Sequence, residues 1–195
     1  EVLERKGVRE FPPGTRVLLT GPNQAAGAAL LRATAGIQTE GTGRIIRPGS
    51  DESAFLQQRP YLPPGTLRQI LVRPDSEGKI SDDRILDVLR KLDITESMTL
   101  AGGLDNEQTW GTTLSMAEQQ LLVFARALLA LPAFVFMDRI ETTLGSEQFH
   151  KILRLLSESS ITCVCTGETG GATDLFDFTL TFDEGGRWTW TPNRT

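Results

Sequence analysis

The sequence predicts an α/β fold in which a parallel sheet, covered on both faces, is interrupted by one long helical segment. Two apolar runs, 134–137 and 161–165, are continuous rather than alternating, the pattern of strands buried on both sides, and the stretch 146–157 between them reads as a connecting helix. Near the start, Val17-Leu18-Leu19-Thr20 lies between Gly14 and Gly21-Pro22, and an alanine- and leucine-rich helix over 25–35 ends at Gly36, giving strand, turn and helix. Between 67 and 131 the apolar spacing turns helical before the α/β pattern resumes at Phe134.

Each element has a local reason. Arg44-Ile45-Ile46-Arg47 before Pro48-Gly49 predicts a strand and its turn, and Ser53-Ala54-Phe55-Leu56 predicts another. Over 67–92, Ile85, Leu86, Leu89 and Leu92 fall at helical spacing behind Ser81, an N-cap followed by two acids. A second helix over 115–131 opens on Ser115 with Glu118 three residues on, the reciprocal capping-box spacing. A hairpin of 179–182 and 188–190 closes around Asp183-Glu184-Gly185-Gly186. The chain therefore reads as one domain over 1–195, with a core of about 1–61 and 131–195 and a helical subdomain of about 62–130. Internal repeats and low-complexity tracts do not stand out.

Composition narrows the function classes. With 195 residues, 39% of them hydrophobic and 23% charged, the chain has enough apolar material for one sizeable core. No apolar run approaches the eighteen or so residues of a membrane-spanning helix. A net charge of -5 and a pI near 5.0 argue against a nucleic-acid partner, because gripping phosphate backbones takes clustered Lys and Arg. Cys163 and Cys165 are read as buried, reduced packing residues on opposite faces of a strand, unable to pair, which suits a reducing compartment. The chain starts at Glu1 with neither an initiator Met nor a signal-like stretch, and a piece of a longer protein is expected.

The most informative run is Leu114-Ser115-Met116-Ala117-Glu118-Gln119-Gln120, then Val123-Phe124-Ala125-Arg126-Ala127-Leu128-Leu129, then Ala133-Phe134-Val135-Phe136-Met137-Asp138. It resembles the stretch that defines ATP-binding cassette (ABC) ATPases, where a signature LSGGEQQ opens a helix and an apolar strand ends in a metal-organising Asp. Phe55-Leu56-Gln57-Gln58-Arg59-Pro60-Tyr61-Leu62-Pro63-Pro64-Gly65-Thr66-Leu67-Arg68 is nearly unaltered from that family's Gln loop. Its wording, with Trp110 upstream of the signature, is most similar to the SbmA/BacA-like and YddA-like bacterial exporters and the peroxisomal fatty-acyl half-transporters. The resemblance covers about 13–185 and implies a P-loop NTPase (RecA-like) core with an ABC-type helical insertion.

The same resemblance locates a nucleotide site and shows it altered. A phosphate loop needs glycines for backbone N–H groups to wrap phosphates, a Lys to bridge them and a hydroxyl for magnesium, all at a helix N-terminus. Here the loop reads Gly21-Pro22-Asn23-Gln24-Ala25-Ala26-Gly27-Ala28-Ala29: only Gly21 keeps the pattern, Gly27 takes the Lys place, and Ala28 and Ala29 take the hydroxyl places. The signature glycines are Met116 and Ala117, whose side chains hold the backbone away from a phosphate. The catalytic Glu place, after Asp138, holds Arg139, and the place of the family's switch His holds Glu168. Thr142-Thr143-Leu144-Gly145 lacks the Asp that links paired sites in the family. His150, the single histidine, is expected to face solvent. The resemblance puts the aromatic that stacks on adenine upstream of Val17, and no residue there is assigned to it.

The expectation is a catalytically degenerate ABC domain that is not an enzyme and needs neither the ATP nor the magnesium its family uses. Gly21, Asn23, Gln24, Gly27, Ala28, Ala29, Gln58 and Asp138 would be a vestigial nucleotide site, Leu114 to Glu118 a vestigial signature, and Arg139 and Glu168 an ion pair filling the vacant place, with Asp138 near them. Segment 58–68 would meet a transmembrane domain outside this chain, at the cytoplasmic face of a membrane, with a second nucleotide-binding domain as a further partner. Two other readings stay open: a residual ATPase relying on Asp138, Gln58 and Ser115, and a scaffold reusing the fold to bind another protein or ligand.

Overall fold

The computed structural model describes residues 3–5, 8–10, 12–36, 38, 49–76, 78–167, 173–185 and 187–193. Strands β1 (Leu3–Arg5) and β2 (Val8–Glu10) form an antiparallel pair, and β3 (Arg16–Thr20) then enters the main sheet and leads into helix α1 (Gln24–Ala35). The next strand is β4 (Ser53–Leu56), followed by a helical layer. That layer comprises the short strand β5 (Gly65–Thr66), α2 (Leu67–Leu71), α3 (Asp82–Lys91), α4 (Thr95–Leu100), the short strand β6 (Glu107–Gln108), α5 (Trp110–Thr113) and the long α6 (Met116–Ala130). The chain returns through β7 (Phe134–Asp138), α7 (Glu141–Leu144), α8 (Ser146–Glu158), β8 (Thr162–Thr166) and the closing hairpin β9 (Phe178–Phe182) and β10 (Trp188–Pro192).

The main sheet runs β10-β9-β3-β8-β7-β4, parallel throughout except for the antiparallel β10 at its edge. Alternation along the strands divides the core. Leu18, Val135, Met137, Cys163 and Cys165 face the larger cluster shared with α8 and the helical layer, while Val17, Leu19 and Phe136 face α1. Phe55 stacks on Phe136 across the β4–β7 pair, with centroids 4.6 Å apart. Burying both faces explains why these strands carry continuous apolar runs.

One expectation is refined and one corrected. The helical stretch 67–92 is two helices: the first ends after Leu71, Val72 turns extended, and a 3-10 turn follows at Pro74, because the residue before a proline disfavours helical geometry. Ser81 does cap α3, accepting from the Arg84 N–H at 3.3 Å. The cysteines are both buried and free, but they share one face; residues two apart on a strand point the same way, and Val164 between them faces the other cluster. The strand expected at 44–47 lies outside the described residues.

Candidate functional site

The parallel sheet brings the carboxyl ends of β3, β7 and β8 together, so the loop before α1, the residues after β7 and the end of β8 meet in one crevice. Register sets the details. Asp138 pairs with Thr166 across β7 and β8, and the Thr166 hydroxyl donates to the Asp138 carboxylate at 2.6 Å. The crevice is lined by Leu19, Thr20, Gly21, Asn23, Gln24, Gly27, Ala28, Asp138, Arg139, Thr166 and Gly167, so it gathers Gly21, Asn23, Gln24, Gly27, Ala28 and Asp138 but not Ala29 or Gln58.

Within this crevice the loop satisfies itself. The Asn23 side chain caps α1, accepting from the Ala26 N–H at 3.0 Å, one of the donors a phosphate would otherwise use. The Arg139 guanidinium donates to the Gln24 side-chain oxygen, joining the end of β7 to the first turn of α1. Arg139 is held to that course by its backbone, which is left-handed at φ 51°: its N–H donates to the Thr166 carbonyl at 3.2 Å, and its own carbonyl accepts from the Thr142 hydroxyl at 3.0 Å. The remaining space is about 20 Å³. That is room for about one water. The places where the resemblance puts the bridging cation and the magnesium hydroxyl are Gly27, Ala28 and Ala29, none of which carries such a group.

Gly21 has a reason of its own. At φ 126°, a Cβ here would lie 2.1 Å from the Phe182 carbonyl oxygen, so the position excludes a side chain whether or not phosphate is present. Gly27 differs, since a Cβ there meets its nearest neighbours at 3.8 Å.

Gln58 lies close by, lining a cavity of about 430 Å³ together with Asp138 and a second one together with Arg139, whereas the signature residues lie apart. Gln58 donates to the Thr142 hydroxyl at 3.2 Å, and its backbone carbonyl accepts from the buried Gln120 side chain of α6 at 2.8 Å. Leu114 is buried and Ser115 caps α6 in the expected box with Glu118, while Met116 is exposed and Ala117 half-buried. The Ser115 hydroxyl donates to the Glu118 carboxylate at 2.6 Å. Hydrogen bonds from the Ser115 side chain, the Ser97 side chain and the Ser115 backbone hold the Glu118 carboxyl below its ordinary range. None of the signature residues lines the crevice. Glu168, the partner expected for Arg139, lies outside the described residues. His150 is exposed, at the rim of a separate cavity of about 380 Å³ that Arg139 also borders.

Sequence reasoning missed three features. The indole N–H of the fully buried Trp110 donates to the Gly65 carbonyl at 2.9 Å, anchoring the turn after the Gln loop. Arg68 is clamped between Asp82 and Asp105, which raises its pKa. The Arg139–Gln24 bond links positions far apart in sequence. Only the last touches the crevice.

This geometry defines an α/β domain of the P-loop NTPase type. In fold it is similar to a bacterial Atm1-family ABC exporter with ATP bound, with a TM-score of 0.77 over 96% of this chain and 35% of that one at 19% identity. An uncharacterized ABC transporter ATP-binding protein of Synechocystis sp. is 31% identical over 180 residues, covering 92% of this chain and 27% of the relative. The lysosomal cobalamin transporter ABCD4 of Homo sapiens is 28% identical over 185 residues, covering 90% of this chain and 30% of the relative. The chain is thus a homologue of ABC transporter ATP-binding proteins, ABCD-family members included, and spans less than a third of the length of these two relatives. No protein-family model matches it.

Proposed function

We propose that this chain is a nucleotide-binding-type domain of an ABC transporter-like protein that does not hydrolyse ATP and acts as a structural or regulatory module beside a transmembrane domain. The observation that carries the reading is the Arg139–Gln24 bond, which spans the place a phosphate would take. Arginine stays protonated and cannot serve as a base. A charge-assisted phosphate contact contributes about 1.5–3 kcal/mol, and neither Gly27 nor Ala28 supplies one. The dipole of α1 adds only about 0.3–1 kcal/mol.

Segment 58–68 is the face we assign to the transmembrane domain. Tyr61 is 81% exposed, while the turn behind it is held by Trp110 and by the Thr66–Gln69 capping box. A large ring presented on an anchored turn suits docking better than a loose loop does. With it come the cytoplasmic face of a membrane as location, a second cassette as further partner, and one domain with its helical insertion over about 62–130. Among the described residues no helix is long and apolar enough to cross a membrane.

Turnover of ATP with magnesium tests the reading. The purified chain is expected to stay at background, since loss of a general base alone costs about 10²–10⁴-fold. Turnover at the level of intact cassettes, abolished by Asp138→Asn, would make it an ATPase after all.

A further inference from the structure

Outside the crevice, a cavity of about 230 Å³ lies between the outer strand β4 and the C-terminal half of α6. Two arginines line it: Arg126, half-buried on α6, and Arg73, which follows α2. Among the described residues, neither guanidinium group makes a hydrogen bond or an ion pair. Burial pushes the Arg126 guanidinium down from its usual pKa, and the positive charge of Arg73 pushes the same way. The chain does not lack carboxylates, having 25 Asp and Glu against 20 Lys and Arg. It gives them to other arginines: Arg16 has Asp177, Arg68 has Asp82 and Asp105, and Arg84 and Arg90 share Asp87. Two like charges converging in a partly dry pocket without a counter-ion are costly.

We propose that this cavity receives the carboxylate of an Asp or Glu side chain presented by a partner polypeptide. Two planar guanidinium groups match the paired oxygens of one carboxylate. Beside the two guanidinium groups the wall carries Phe55, Val123, Ala127 and Pro132, which suit the methylenes of an amino-acid side chain better than the all-polar surface of a free phosphate. Among the described residues β4 is the edge of the sheet and pairs with β7, and Ser53–Leu56 of that strand line the cavity. The proposal rests on the reading that this side of the chain, which carries 58–68, meets a partner. It is independent of whether ATP binds.

The test is an NMR titration following the side-chain N–H signals of Arg73 and Arg126 and the ring of Tyr61. The probes are a blocked pentapeptide with a central Glu, its Gln counterpart, and inorganic phosphate. The Glu peptide is expected to shift both arginine signals saturably, and to bind at least tenfold more weakly after Glu→Gln in the peptide or Arg126→Leu in the chain. Arg73→Gln, at an exposed position, gives a second variant should Arg126→Leu fail to fold. Equal binding of the two peptides, tighter binding of phosphate, or no response at either arginine overturns the proposal. Shifts confined to Tyr61 also overturn it, while leaving docking at 58–68 in place.

Discussion

Gly21 and Gly27 belong to the same loop motif, yet the structure uses them differently. Gly21 sits at φ 126° against the Phe182 backbone, so Gly21→Ala requires β9 to move and is expected to lower stability by at least ~2 kcal/mol. Gly27 lies within α1 with room for a Cβ, and Gly27→Ala is expected to raise stability by ~0.5–1 kcal/mol, the usual helical gain. Chemical denaturation of the two variants checks both signs. Equal destabilisation would mean that the crevice is packed more tightly around Gly27 than described. Arg139 shows the converse, a non-glycine residue kept left-handed by two backbone hydrogen bonds and aimed at Gln24.

Among the elements, α6 depends most visibly on one local device, the Ser115–Glu118 box. Ser115→Ala removes a cap and is expected to cost ~0.5–2 kcal/mol. The box also makes stability depend on pH. Because the folded Glu118 carboxyl titrates below its unfolded value, its contribution is complete above the unfolded pKa, near 4.3, and is lost as pH falls through the lower folded value. Thermal melts of Glu118→Gln are therefore expected to show a shallower loss of stability below about pH 4.3 than the parent. Parallel curves would show that the carboxylate carries none of the cap. The Arg68 clamp works in the same direction, since the guanidinium holds the Asp82 and Asp105 carboxyls below their ordinary range.

For the whole molecule, what was legible in the sequence follows from burial. β3, β7 and β8 are covered on both faces, and such strands must be apolar throughout, so their runs stand out. The helical spacing read over 67–92 is divided between two helices, with Pro74 after the first and the Ser81 cap opening the second. Cys163 and Cys165 were placed on opposite faces although strand alternation puts them together, both buried. With the Cys165 thiol pushed up by burial, labelling by a thiol reagent is expected only on unfolding, at the global unfolding rate; rapid labelling of the native chain would show that the β8 core opens locally. The crevice was legible as a place, because its frame survives around Gly21 and Asp138. Its occupant was not, since Arg139 and Gln24 are 115 positions apart and neither residue type belongs to the motif.

Calorimetric titration with ATP, with and without magnesium, tests the central claim most directly. The closed loop, with Asn23 capping its own helix and Arg139 bonded to Gln24, is expected to show no magnesium-dependent binding. Any weak binding should be magnesium-independent and should disappear in Arg139→Ala, because the guanidinium is the one cation lining the crevice among the described residues. Tight binding that requires magnesium, and survives Arg139→Ala, would contradict the account.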